Sequence, residues 1–205
     1  MAEPNTNSRL EAFCDGVFSI ALTLLIINIK TPSRESINST SDLWLSLKHL
    51  LPSFFAFLLS FVIILITWVN HHATIKLVDK SSSPFVYANG FLLLTVVVLP
   101  FPTALLGDYL FTDYAAPAVV LYTAAHVLQT IGWILVSHTS LKPNLLTKNE
   151  KSTLAMRENI RKSYFGLITY SVFAIIAFWF PLTIASLISV MWIGWVIHGL
   201  NIKAE

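Results

Sequence analysis

No Lys, Arg, Asp or Glu interrupts residues 51–69, 84–107, 114–140 or 163–201 of this chain. A helix crosses the hydrocarbon core of a bilayer in about 20 apolar residues. Lipid offers a bare backbone no hydrogen-bond partner, so apolar runs of this length span as helices. The last run is long enough for two spans, and Pro181 within Phe178-Trp179-Phe180-Pro181-Leu182 divides it with a tight turn. With the apolar stretch that follows residues 9–15, the reading is an all-α protein with six transmembrane helices in one domain, residues 1–205. The spans are expected at about 8–30, 45–71, 84–107, 114–140, 163–180 and 182–200.

Composition agrees. The chain is 55% hydrophobic and 12% charged, with a mean hydropathy of +0.70, values foreign to a soluble domain with a charged surface. The net charge of +2 is gathered in short stretches, which argues against nucleic-acid binding. A single cysteine, Cys14, excludes an intrachain disulfide and a cysteine metal cluster. The first helix is expected to be retained, because Arg9, Glu11 and Asp15 stand where a signal peptide would be purely basic and no small-residue cleavage site follows.

Orientation follows from the basic residues. With both termini in the cytoplasm, Arg9, Lys76, Lys80, Lys142, Lys148, Lys151, Arg157, Arg161, Lys162 and Lys203 fall inside, and Lys30, Arg34 and Lys48 outside. This is the asymmetry of the positive-inside rule, and the expected localisation is that of a multi-pass protein of the cell membrane. The mixed-sign segment 142–162 reads as a solvated, partly helical connection.

The first helix carries the most unusual chemistry. Arg9, Glu11 and Asp15 stand at the mouth of an apolar span, where charges are costly unless paired or facing water. A helix turns roughly 100° per residue, so Ile20, Thr23, Leu24 and Ile27 form one stripe, which Gly16 and Phe13 continue. Such a stripe fits ordinary packing against neighbouring helices. Arg9 fits a side chain reaching for lipid headgroups, but Asp15 is too short to do so and calls for a partner on another helix. Asp15 lies six residues from Arg9, too far round for an intrahelical pair.

Candidate partners lie at the same boundary. The second span ends Trp68-Val69-Asn70-His71-His72, with Trp68 and His72 one turn apart, and Asn89 lies early in the third. Two adjacent histidines without a third ligand do not build a common metal site. His49, His126, His138 and His198 show no ligand spacing, and no catalytic motif appears. Pro100-Phe101-Pro102-Thr103 is expected to bend the outer end of the third span.

Taken together, Arg9-x-x-x-Phe13-Cys14-Asp15, Trp68-x-x-x-His72, Asn89 and Pro100-Phe101-x-Thr103 resemble the endosomal and lysosomal transmembrane potassium channel family over the whole chain. The family signature is Arg-x-x-x-Phe-Ser-Asp, from which this chain departs by carrying Cys14 for serine. The resemblance implies a homotetramer of six-span subunits, as in prokaryotic members, with the first helix lining a central pore. It places Ile20, Thr23, Leu24 and Ile27 on the ion path. Arg9, Phe13, Asp15, Trp68, His72 and Asn89 would form a motif and gating network off that path. The implied activity is passage of K+ and other monovalent cations through a hydrophobic constriction, with modest selectivity, no cofactor, no resident metal and no enzymatic reaction. The sequence holds no Thr-Val-Gly-Tyr-Gly segment for a carbonyl filter. The alternative is a secondary carrier with a polar site at Asp15, His71 and His72.

Overall fold

In the computed structural model, which describes residues 7–201 and their side chains as far as residue 194, the chain is helical throughout its core. Lys203 lies outside the described residues, as does the side chain of His198. The helices are α1 (Ser8–Ile27), α2 (Thr40–His49), α3 (Leu51–Lys76), α4 (Ser83–Val98), α5 (Pro100–Tyr109), α6 (Ala115–Leu141), α7 (Glu150–Ile176) and α8 (Pro181–Asn201), with one 3-10 turn at Arg34–Ser36.

Local chemistry sets these boundaries. Ser39, Ser82 and Asn149 each accept a hydrogen bond from a first-turn amide, those of Asp42, Phe85 and Ser152, and so cap α2, α4 and α7. Proline occupies the first turn of α3, α4 and α5, where its missing N–H costs nothing. Pro181 opens α8, so the last apolar run divides where the sequence predicts.

Other boundaries differ. The second span does not begin near residue 45: α2 ends at His49, and α3 starts afresh at Leu51 and runs on to Lys76. The third span runs from Ser83 to Tyr109 with one break at Leu99, whose backbone stays helical, and the break falls where the prolines predict a bend, because Pro100 and Pro102 cannot donate to the turn before them. Val96 O, which Pro100 cannot serve, accepts from the Leu99 amide at 3.2 Å instead, and further bonds hold the segment. Leu99 O accepts from the Thr103 amide and hydroxyl at 3.1 and 2.8 Å, and Asn28 Nδ2 donates to Pro100 O at 3.0 Å. The connection expected to be only partly helical enters α7 at Glu150, so the fifth span is the apolar second half of a longer helix. Among the described residues, four stretches suffice by length and hydropathy to cross a membrane: Ser8–Ile27, Leu51–Lys76, Ser83–Tyr109 and Ala115–Leu141. The charged first half of α7 removes it from that group, and α8 contributes the shorter apolar Pro181–Gly194.

The centrally placed α6 packs against α4, α5, α7 and α8, while α1 lies on α3 and α4. Phe18, Ala21, Leu25, Ile63, Val96, Tyr122 and Ile188 share one buried cluster, and dispersion contacts of this density hold the helices together. Within the core Ser60 Oγ lies 2.7 Å from Thr103 Oγ1 and 3.0 Å from the Tyr122 hydroxyl, so a trio of hydroxyls ties α3, α5 and α6. At one end of the bundle the α3–α4 and α6–α7 connections pair as a short bridge, with Asp79 N donating to Leu146 O and Lys148 N to Leu77 O at 2.8 and 3.0 Å. The start of α1 joins them through Asn7 Nδ2 to Val78 O, 3.1 Å. This is the end that carries Arg9, Lys76, Lys80, Lys142, Lys148 and Lys151.

One glycine fixes a close crossing. A Cβ on Gly107 would lie 2.8 Å from Ser53 Cα, a backbone atom that moves only with the whole of α3. Gly107→Ala is expected to lower stability by about 1–3 kcal/mol, read as a drop in the thermal midpoint of the purified protein in detergent. Alanine at Gly16, where nothing lies within 4 Å, is the control and should hold or slightly raise the midpoint, since alanine is the better helix former.

Candidate pore helix and its anchoring contacts

Helix α1 has two faces. Cys14, Phe18, Ala21 and Leu25 are buried against α3 and α4, and their spacing of four, three and four defines the packing stripe. Ile20, Thr23, Leu24 and Ile27 lie on the other side: Ile20 is 59% exposed, Leu24 39% and Ile27 70%, and Thr23 is exposed as well. The stripe is thus turned mainly away from the subunit's own core, Leu24 least so. The aliphatic residues face away from the subunit that carries them. The Thr23 hydroxyl donates to Ile20 O at 2.8 Å, which turns its hydrogen inward and leaves its oxygen lone pairs outward as the polar interruption of the stripe.

The first turns of α1 are pinned to α3 by two contacts. Trp68 Nε1 donates to Asp15 Oδ1 at 2.8 Å, a charge-assisted bond. His72 Nδ1 lies 2.8 Å from Glu11 Oε1. The Trp68 and His72 rings stack at 6.2 Å between centroids, as their one-turn spacing predicts. Glu11 was not among the expected partners, although its position one turn before Asp15 puts both carboxylates on the same side of α1.

Asn89 does not serve Asp15. It lies fully buried, with Oδ1 2.9 Å from His71 Nε2 and Nδ2 donating to Phe85 O at 2.7 Å. The imidazole of His71 in turn lies between Phe18 of α1 and Trp133 of α6, at centroid distances of 5.3 and 6.4 Å. The pair thus forms a buried polar joint between α3 and α4, directly behind the packing face of α1. Arg9 and Phe13 are exposed, and neither makes a hydrogen bond or ion pair in this network among the described residues. The six residues expected to act together therefore separate into Asp15–Trp68 with His72 on Glu11, Asn89 on His71, and two free side chains facing outward.

Deeper in the bundle, His126 Nδ1 lies 3.3 Å from Gln129 Oε1, and Gln129 Nε2 donates to Thr67 at 3.3 Å. The His126 ring is enclosed by Tyr122, Tyr170 and Trp192. Sequence spacing showed nothing of this cluster, because its members come from four helices. A cleft of about 490 Å³ opens at the opposite end of the bundle, lined by His49, Ser53, Gly107, Asp108 and Tyr109, away from the α1 network. Among the described residues no group of three or more His, Cys, Asp or Glu side chains could hold a metal ion.

Comparison with known proteins places these features in context. Residues 9–100 match the family model described as the endosomal/lysosomal potassium channel TMEM175. A potassium channel of Chamaesiphon minutus is 48% identical over 120 residues, 58% of this chain and 59% of that one. A potassium channel of Streptomyces collinus is 37% identical over 137 residues, 64% of this chain and 65% of that one. The matched stretches thus span about three fifths of these curated relatives. The crystal structure of a lysosomal potassium-selective channel TMEM175 homolog from Chamaesiphon minutus superposes with a TM-score of 0.82 at 34% identity, covering 94% of this chain and 97% of that one.

Proposed function

Because this chain belongs to the TMEM175 potassium channel family, we propose that it is a potassium-preferring cation channel in which four copies of α1 surround the ion path. The observation that carries this reading is the exposed stripe of Ile20, Thr23, Leu24 and Ile27 on a helix whose opposite face is fully packed. Four such stripes facing one axis would give rings of isoleucine and leucine with one ring of hydroxyl oxygens between them.

Aliphatic rings repel water, so a narrow pore of this kind closes by dewetting and conducts when the helices stand apart. A cation passing an isoleucine ring sheds part of its hydration shell. Sodium holds water more tightly than potassium and loses more there, while the Thr23 oxygens, with their hydrogens turned into the helix, replace part of what is lost. Each ~1.4 kcal/mol of difference between the two ions gives about tenfold discrimination. Asp15, Glu11, Trp68 and His72 hold the entry end of α1 against α3 and set its position without touching the ion. By the positive-inside rule, the basic end of the bundle supports a cytoplasmic position for both termini, and we read the protein as one of the cell membrane.

A carrier with its site at Asp15, His71 and His72 fits poorly, since Asp15 and His71 are already hydrogen-bonded, with Trp68 and Asn89, and His72 lies against Glu11. The test is ion flux and single-channel recording from purified protein in liposomes. Resolved current steps with potassium over sodium permeability of roughly tenfold are expected. Saturable counterflow without current steps would replace the channel by a carrier, and a monomeric or dimeric mass in mild detergent would remove the fourfold pore.

A further inference from the structure

We propose that the basic end of the α6–α7 pair binds an anionic phospholipid, with the phosphate at Arg157, Arg161 and the Tyr164 hydroxyl and the acyl chains along Phe165, Ile168 and Val172. One face of α7 presents the exposed Arg161, Phe165, Ile168, Val172 and Ile175 in steps of four, three, four and three, so a single stripe passes from charge to hydrocarbon. Phe165 and Ile168 are 73% and 65% exposed, and the Arg161 side chain is 80% exposed. From Arg161 to the end of α7 the helix rises roughly 22 Å, most of a hydrocarbon core. The switch from Arg161 to Phe165 within one turn therefore marks the membrane boundary on this face.

At that boundary hydrogen-bond donors gather from both helices. Arg157 and Arg161 are one turn apart and share a face with Tyr164. The Tyr164 hydroxyl lies 3.5 Å from His138 Nε2 on α6, with the rings edge to face at 6.3 Å. Lys142 follows the last turn of α6, and Lys162 flanks the stripe. Among the described residues between Arg157 and the end of α7, Glu158 is the one carboxylate, and it takes one end of Arg161 at 2.8 Å. The guanidinium has five N–H donors in a fork, so the pair leaves others for a phosphate, and Arg157 is exposed alongside. Guanidinium, hydroxyl and imidazole donors above a lipid-facing apolar stripe match both halves of one molecule, a phosphodiester headgroup and its chains. A neutral zwitterionic lipid brings its own ammonium to this basic band and gains less from it.

The test is native mass spectrometry of the intact protein extracted from liposomes that mix phosphatidylglycerol with phosphatidylcholine. Wild type should retain phosphatidylglycerol preferentially. Arg157→Gln with Arg161→Gln should weaken that retention roughly tenfold to thirtyfold, from about 1 kcal/mol for each basic residue. Arg157→Lys with Arg161→Lys should preserve most of it, and Lys30→Gln with Arg34→Gln, at the opposite end, should preserve it fully. These side chains are exposed, and unchanged thermal midpoints would verify folding. Equal retention of the two lipids by wild type, or equal losses in the two glutamine variants, would overturn the site. Displacement of the lipid by millimolar inorganic phosphate would reassign the pocket to a free anion and overturn the lipid. None of these readouts depends on ion conduction, so the lipid site and the proposed pore stand or fall separately.

Discussion

Ile27→Asn is expected to raise potassium flux through reconstituted protein by at least roughly tenfold, the equivalent of about 1.4 kcal/mol off the barrier at a dewetted ring. Ile27 is the most exposed aliphatic member of its stripe, at 70%, and is not a member of the buried cluster that holds α1 in place. Asparagine therefore removes no packing within the subunit, and the thermal midpoint should stay within about 0.5 kcal/mol of wild type, as for other surface substitutions. Four amides around the proposed pore would instead offer water a hydrogen-bonded path through the constriction. Leu25→Asn is the paired control. That side chain is 1% exposed, and the same chemistry there should destabilise the fold. If Ile27→Asn unfolds the protein or leaves single-channel current unaltered, the stripe faces lipid or another subunit, not the ion path.

Asn89→Leu should cost about 2–4 kcal/mol of stability and change gating along with it. The substitution strands the His71 imidazole, which is 1% exposed and has Asn89 Oδ1 2.9 Å from Nε2, and a buried polar group left without its partner costs about 1–3 kcal/mol by itself. Leucine also branches where Asn89 Nδ2 donated to Phe85 O, which adds a packing penalty. Because His71 contacts Phe18 on the packed face of α1, a shift of its ring moves the helix that carries the proposed pore. Asp15→Asn should act more gently: the side-chain oxygen still accepts from Trp68, and only the charge assistance is lost. Thermal denaturation in detergent ranks the two. Both should leave the preference for potassium over sodium nearly unchanged, and a large change in ion preference for either would put that residue on the ion path.

How much of this was legible from residues alone varies with the range of the interaction. Uncharged runs and prolines act locally, so the apolar helices, the turn at Pro181 and the break after Val98 were readable, although not that α2 would separate from α3 at Leu50. Likewise, the stripe of Ile20, Thr23, Leu24 and Ile27 follows from helical pitch, and the stacking of Trp68 on His72 from a spacing of four. The sequence named Asn89 as a partner for Asp15 because both sit at one boundary, but depth alone does not say which way a side chain turns. On α4 the Asn89 side chain points into the bundle toward His71, whereas Asp15 lies at the edge of the α1–α3 contact, within reach of the longer indole of Trp68.

The chain by itself determined that it spans a membrane, that its basic residues gather at one end, and which faces of each helix are apolar, because periodicity and charge are properties of neighbours along the backbone. Only the tertiary structure decided which apolar face of α1 is buried and which is left outward, since both stripes carry the same kinds of side chain. It also paired Glu11 with His72, His71 with Asn89, and Ser60 with Thr103 and Tyr122. Such pairings depend on the rotation of each helix about its own axis, which is set by the combined packing of all its neighbours and written in no single segment.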